Sequence, residues 1–205
     1  MSTSILIIGA GGHAKVVIDA HLSHTHNDKI IVVDEKPSTN DKLLNEYPVK
    51  LFKGYKIAED FFHIAIGSNL DRSRLANNFD LTSKKYITIT HKASIISNNS
   101  TIFNGCFIAA NAIISSNVLI NKGSIINHAS IIDHDCQIGE FSHISPNVTL
   151  GGGVTIGTQC LIGSNAVILP GINIGNNVVI GSGSVVLEDI SDNSVFCGNP
   201  AKKIN

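Results

Sequence analysis

One histidine in this chain stands between two carboxylates, as Asp133-His134-Asp135. An imidazole with an acid beside it can be oriented, and its protonated form stabilised, which is what a general base requires. A second stretch with chemical content lies near the start of the chain. Ile5-Leu6-Ile7-Ile8 reads as a buried strand and runs into Gly9-Ala10-Gly11-Gly12-His13-Ala14. Gly9-x-Gly11-x-x-Ala14 satisfies the dinucleotide fingerprint, and Asp34 follows at the separation where an acid meets a ribose. Glycines in such a turn let backbone N–H groups approach a phosphate at the helix start. A tight strand-to-helix turn also needs glycine for its geometry alone.

The elements that must position these residues come in two styles. In the first part a helix is expected over 15–22, with Val16, Val17, Ala20 and Leu22 as apolar positions, and a strand over 30–33 ending at Asp34-Glu35-Lys36. Strand, glycine-rich turn, helix and strand make half of a nucleotide-binding α/β unit. The residues before the repeats are too few for both halves, which counts against an NAD-dependent oxidoreductase. Another strand is expected over 63–66, with Asn69 capping a helix over 71–79. The loop after a parallel strand lies at the ligand edge of its sheet, so Gly67, Asn69 and Arg72 are candidate contacts. For Arg72 and Arg74 a solvated helix face is an equal alternative.

The second style is a repeat. Every sixth residue from Ile96 to Val186 is aliphatic, sixteen positions without a break. The residue two before each is small or Val, with Ile172 as the exception. A period of six with inward residues two apart fits short strands, and Gly and Asn at the corners tolerate left-handed backbone. Three sides make a coil of about 18 residues that hides its apolar edge by stacking on the next. The expected organisation is an α/β unit over 1–88 and the repeat column with a short tail over 89–205.

The remaining features narrow the class. The chain has 205 residues, 43% hydrophobic, with a formal net charge of -1. That balance gives no support for binding nucleic acid or anionic membranes. No run is long enough to span a bilayer and no leader pattern opens the chain, so a cytoplasmic location with reduced thiols is expected. Cys106, Cys136 and Cys160 all fall on the small inward position of the repeat, and Cys197 lies outside it. Cys106 and Cys160 share a face but sit three coils apart, roughly 14 Å, too far for a disulfide. His21, His24 and His26 read as a solvated helix end rather than a metal site, and no metal is expected. His128 and His134 hold the same place in successive hexads, so they sit at different corners.

The repeat resembles that of the hexapeptide-repeat acyltransferases. The whole chain is similar to the sugar acyltransferases of bacterial glycan synthesis, the group of sialic acid O-acetyltransferases and nucleotide 4-aminosugar N-acetyltransferases. The residues that carry this are Gly9-Ala10-Gly11-Gly12-His13, Val33-Asp34-Glu35, Ala65-Ile66-Gly67-Ser68-Asn69, Ile132-Asp133-His134-Asp135-Cys136, Phe141-Ser142-His143 and the tail Gly198-Asn199-Pro200-Ala201-Lys202. The resemblance implies a left-handed parallel β-helix behind a small Rossmann-like unit, a homotrimer, and acetyl-CoA as acyl donor. It implies His134 as general base and Asp135 as its helper. Gly11, Gly12, His13, Asp34 and Glu35 would meet the nucleotide-sugar, and His143, Ser164 and Ser182 the cofactor. Asp135 and Glu35 stand where Glu and Asp are common in the group, and Ser182 where Gly is. The expected reaction is N-acetylation of the 4-amino group of a UDP- or dTDP-linked aminosugar. Acetylation of a sugar hydroxyl, as in sialic acid, and a non-catalytic β-helix that binds nucleotide-sugars are the alternatives.

Overall fold

The structure, a computed structural model, describes residues 3–24, 28–37, 42–53, 55, 59, 61–78 and 86–204. Its first part is a five-stranded sheet with two helices. The strands are β1 (Ser4–Ile8), β2 (Lys29–Asp34), β3 (Lys42–Leu43), β4 (Tyr47–Leu51) and β5 (Phe61–Ile64), in the order β3-β4-β2-β1-β5. β1 pairs in parallel with β2 and β5, and β2 with β4. The fully apolar strand Ile5–Ile8 is central, and its side chains are at most 1% exposed. Such a strand must be covered on both faces.

Local chemistry shifts several expected boundaries. Helix α1 (Gly12–Leu22) begins earlier than expected, because extended Gly11 (φ −79°, ψ −169°) is the N-cap and His13 falls in the first turn. Helix α2 runs Asn69–Asn78. Its cap is Ser68, whose Oγ accepts from the Asp71 N–H and whose carbonyl accepts from the Arg72 N–H. Asn69 is therefore a helical residue and not the cap. The β3–β4 hairpin was not foreseen; it turns through left-handed Leu44 and Asn45, and Leu44 is no turn signal. Position 79 of the expected second helix, and His26, lie outside the described residues.

From Ile89 onward the chain is a left-handed parallel β-helix, with a strand of two residues in each hexad. Ile114 pairs with Ile132 and Ile132 with Leu150, so each coil takes 18 residues. The strands form three sheets, one per side of a triangular prism. From Asn111 to Gly183 the second corner residue of nearly every hexad has positive φ: Asn111, Asn117, Gly123, Ala129, Asp135, Phe141, Asn147, Gly153, Gln159, Asn165, Gly171, Asn177, Gly183. The inward aliphatic series is buried from Ile108 to Val186, and Cys106, Cys136 and Cys160 are buried free thiols within it.

The α/β unit packs on one side of this prism. Phe107 and Ile125 face outward from that side and join the core formed by Ile5, Ala14, Val17 and Ile18. Ile89–Thr90 is the first strand of the same side. At the adjoining edge the Tyr86 ring lies over Gly105 and the Phe141 ring over Gly123, so a Cβ at either glycine would strike the ring.

Candidate active site

Asp133-His134-Asp135 forms the corner between the strands Ile131–Ile132 and Gln137–Ile138. Asp135 is left-handed (φ 63°), and this turns its carboxylate back to the imidazole of its neighbour. His134 Nδ1 lies 2.7 Å from Asp135 Oδ2, and Asp133 Oδ1 accepts from the His134 backbone N–H at 2.8 Å. The Asp135 hydrogen bond and then the Asp133 charge hold the imidazole above its ordinary pKa. With its proton on Nδ1, the ring leaves Nε2 free to accept another.

One coil further on, Gly152 makes room for this ring. A Cβ there would lie 2.5 Å from His134 Cε1 and 2.6 Å from Nε2. The glycine needs no unusual backbone; the close approach of the imidazole demands it. The signal was present in the sequence as the run Gly151-Gly152-Gly153, but its meaning depends on knowing the 18-residue coil.

The other expected contacts gather on the far side of the prism. Gly9, Ala10, Gly11, Gly12, His13, Asp34, Ala65, Ile66 and Gly67 line a cavity of about 350 Å³. Gly9 is a geometric glycine: φ is +113° and a Cβ would lie 2.8 Å from the Ala65 carbonyl oxygen. Gly11 and Gly12 are different, since a Cβ at either would meet nothing within 4 Å. Packing does not require them, and they leave open space at the start of α1, where no side chain caps the helix. Asp34 holds this loop by accepting from the Ala10 and Lys36 N–H groups, at 2.8 and 2.9 Å. Glu35 is engaged by Arg74 in a bidentate pair of 2.8 and 3.2 Å, so Arg74 sits on a partly solvated helix face.

Arg72 is neither solvated nor free for a ligand. It is 1% exposed, and its five N–H donors go to Gly123 O, Ile66 O, Gly67 O, Phe141 O and Asn69 Oδ1, at 2.7 to 3.1 Å. Asn69 is used up as well, donating to Cys160 O and Gln159 O while it accepts from Arg72. Both side chains are struts between the α/β unit and the prism. Neither offers a group to the cavity, so the candidate contacts expected at these two positions are corrected to structural ties.

His143 projects from the docked side, where its ring centroid lies 6.5 Å from that of His13. It bonds the Gly67 backbone, and its Nε2 lies 3.0 Å from Asn127 Nδ2. Burial, with the Arg72 charge as a second cause, pushes its pKa down to about 4. Burial also lowers His13 to about 3, and His13 Nε2 is buried with no hydrogen-bond partner on the cavity wall. That orphaned nitrogen fits a polar ligand group entering the cavity. Ser164 and Ser182 stack 18 residues apart on the corner that borders the docked side, linked by Gly183 N–H to Ser164 O at 2.8 Å. Within one chain the structure therefore unites Gly11, Gly12, His13, Asp34, Gly67 and His143, and sets His134 and Asp135 on the edge opposite them. Among the described residues no cluster of three metal-ligating side chains occurs, and His21 pairs with Asp28 at 3.0 Å.

A hexad prism with an acid-oriented histidine on one edge and a glycine-lined α/β pocket on the opposite side defines the class of hexapeptide-repeat acyltransferases with an appended N-terminal unit. Residues 4–79 match the family described as PglD N-terminal domain, residues 135–169 the bacterial transferase hexapeptide family, and residues 153–188 the hexapeptide repeat of succinyl-transferase. The structure superposes on a histidine-to-asparagine mutant of perosamine N-acetyltransferase from Caulobacter crescentus in complex with CoA and GDP-perosamine, with a TM-score of 0.91 and 28% identity over 98% of this chain and 97% of that one. It also superposes on the acetyltransferase domain of PglB from Neisseria gonorrhoeae in complex with acetyl coenzyme A, with a TM-score of 0.91 and 27% identity over 100% of both chains. UDP-N-acetylbacillosamine N-acetyltransferase of Bacillus subtilis is 32% identical over 103 residues, which is 48% of this chain and 48% of that protein. The chain is a member of the hexapeptide-repeat acyltransferase family, related to the nucleotide-sugar N-acetyltransferases. No described helix is long and apolar enough to cross a membrane.

The fit of His134 over Gly152 gives a direct expectation. Gly152→Ala should displace the exposed imidazole from Asp135 while leaving the fold intact, because His134 is a surface side chain free to swing. The expected result is a kcat lower by about 10-fold with a thermal midpoint within a degree or two of wild type. An unchanged kcat would place the working imidazole elsewhere.

Proposed function

We propose that the protein is an acetyl-CoA-dependent N-acetyltransferase acting on the 4-amino group of a nucleotide-linked aminodeoxysugar, with His134 as general base. The observation that carries this is the His134–Asp135 pair at 2.7 Å, which leaves Nε2 as the proton acceptor on an open edge. The likeness over the full chain to structures holding CoA with GDP-perosamine, or acetyl coenzyme A, supports the substrate classes.

In this reading Gly11, Gly12 and the start of α1 take the phosphates, and Asp34 and the His13 nitrogen take polar groups of the nucleotide-sugar. Acetyl-CoA supplies the acyl group as a thioester. His134 Nε2 accepts a proton from the amine as the C–N bond forms and the C–S bond breaks, and returns it to the departing thiolate. Asp135 keeps the ring in the right tautomer and carries the charge beside it. Ser164 and Ser182 border a corner with small side chains, where a pantetheine arm can lie against the coils.

The separation of pocket and base within one chain points to a site completed by a second copy. Ile95, Ile113 and Ile131 form an apolar row on a side the α/β unit does not cover, and Ile95 is 62% exposed. In a homotrimer packed through such sides, the pocket of one subunit faces the His134 edge of the next.

Two measurements test this. A coupled thiol-release assay over UDP-, dTDP- and GDP-linked 4-aminosugars, with sialic acid as control, should show turnover with at least one aminosugar and none with sialic acid. Turnover with sialic acid alone would replace amine by hydroxyl acetylation. Coexpression of Asp34→Ala with His134→Ala, each inactive by itself, should restore about a quarter of wild-type activity, because random mixing pairs an intact pocket with an intact base at that frequency. No restoration would put both halves of the site in one chain.

A further inference from the structure

The His134–Asp135 pair is extended by a third side chain, which lies in another coil. Asn117 Nδ2 donates to Asp135 Oδ1 at 2.6 Å, while Asp135 Oδ2 faces His134 Nδ1 at 2.7 Å. Asn117 occupies the same corner one coil earlier, and Asp135 N–H donates to Ser116 O at 3.1 Å. An Asn at a left-handed corner (φ 60°) needs no functional reason by itself, since Asn111, Asn147, Asn165 and Asn177 do the same. An axial amide bond is also not unique: Asn177 donates to Asn193 at 3.2 Å. What sets Asn117 apart is its acceptor, the carboxylate that holds the candidate base.

The exposure of the pair decides why such an anchor matters. His134 and Asp135 side chains are 62% and 54% exposed. A lone ion pair so open to water favours contact by only a few-fold, so Asp135 would spend much of its time turned away from the ring. A second hydrogen bond to the other carboxylate oxygen removes that freedom, and Gly152 fixes the ring from the opposite side. The amide is the first-ranking cause that keeps Asp135 ionised below its ordinary range, ahead of His134 itself.

We propose that Asn117 is a positioning residue for the reaction: it locks Asp135 so that the carboxylate stays on His134 Nδ1 and Nε2 remains the proton acceptor. This rests on the assignment of His134 as general base. The charged groups facing His134 are Asp133 and Asp135, and the coils on either side present the uncharged Ser115, Ser116, Asn117, Gly151, Gly152 and Gly153 at this corner.

The test compares wild type, Asn117→Gly, His134→Ala and the double variant, with the His134 titration followed by NMR in the ligand-free protein. Glycine keeps the left-handed backbone and deletes only the amide. Asn117→Gly should lower kcat about 10-fold, part of the range set by positioned proton transfer, with both KM values nearly fixed. The His134 midpoint should fall toward 6.5, since a carboxylate that wanders stabilises the imidazolium less. In the His134→Ala background the same change should cost nothing further, because there is no ring left to position. Asn117→Asp, isosteric and unable to donate, should also lower kcat and covers the case in which the glycine variant fails to fold. Wild-type kcat and midpoint in Asn117→Gly beside an inactive His134→Ala would overturn the role of Asn117 alone. An equal further loss in the His134→Ala background would reduce it to a structural corner. Full activity of His134→Ala would end the general-base assignment, and the positioning role with it.

Discussion

The left-handed residue at each corner of the prism sets the geometry on which everything else depends. It closes a side in six residues, so three sides return the chain to register after 18. L-residues other than Gly and Asn resist this conformation, and the cost is met by stacking, which buries an unbroken aliphatic column and pairs the backbone of every coil with the next. Register at this precision lets residues far apart in sequence meet along one edge. Asn117, Asp135 with His134, and Gly152 are successive levels of the same corner. The arrangement around His134 is thus a property of the coil length, and a single inserted residue between Asn117 and Gly152 would dissolve it.

The second constraint is the attachment of the α/β unit. A guanidinium buried without a carboxylate is costly unless every donor finds an oxygen. Arg72 finds five, from four backbone carbonyls and the Asn69 side-chain amide, around α2 and two corners of the prism, and burial lowers its pKa only to about 10. Because Gly67 O serves both Arg72 and the cavity loop, the strut that joins the units also fixes one wall of the pocket. Burial lowers the pKa of His13, His63 and His143 beside it, and the Arg72 charge adds to that shift.

The prism was legible in the sequence because its rule is local: a period of six, with small and aliphatic residues inside, leaves few alternatives. The same periodicity placed His134 outside the core and the three repeat cysteines within it. The strand–glycine–helix order of the first unit was also readable, since Ile5–Ile8 and the glycine turn signal themselves. Arg72 and Asn69 were not. Arg72 fits a ligand edge or a solvated helix equally and Asn69 a cap or a ligand edge, and only the docking of α2 on the carbonyls of Gly123, Phe141 and Cys160 shows them as struts. Asn117 and Gly152 escaped for a related reason, as each gains its meaning from a residue 18 positions away. The division of the site between opposite sides of the prism follows from which side the α/β unit covers, and no motif encodes that.

The proposed reaction depends most directly on His134 as the proton acceptor, and one pH series tests that role. kcat would be measured for wild type, His134→Ala and His134→Asn with an accepted aminosugar across the neutral and alkaline range. The pair with Asp135 places the imidazole above 6.5, so wild-type turnover should fall as pH drops through that raised value, where Nε2 is already protonated. Both variants should lose about 10²-fold or more at neutral pH and regain part of it as pH rises, because an amine acceptor deprotonates in that range without help. Near-normal turnover of folded His134→Ala at neutral pH would contradict the general-base assignment, and a large loss with no alkaline recovery would contradict an amine as the acceptor.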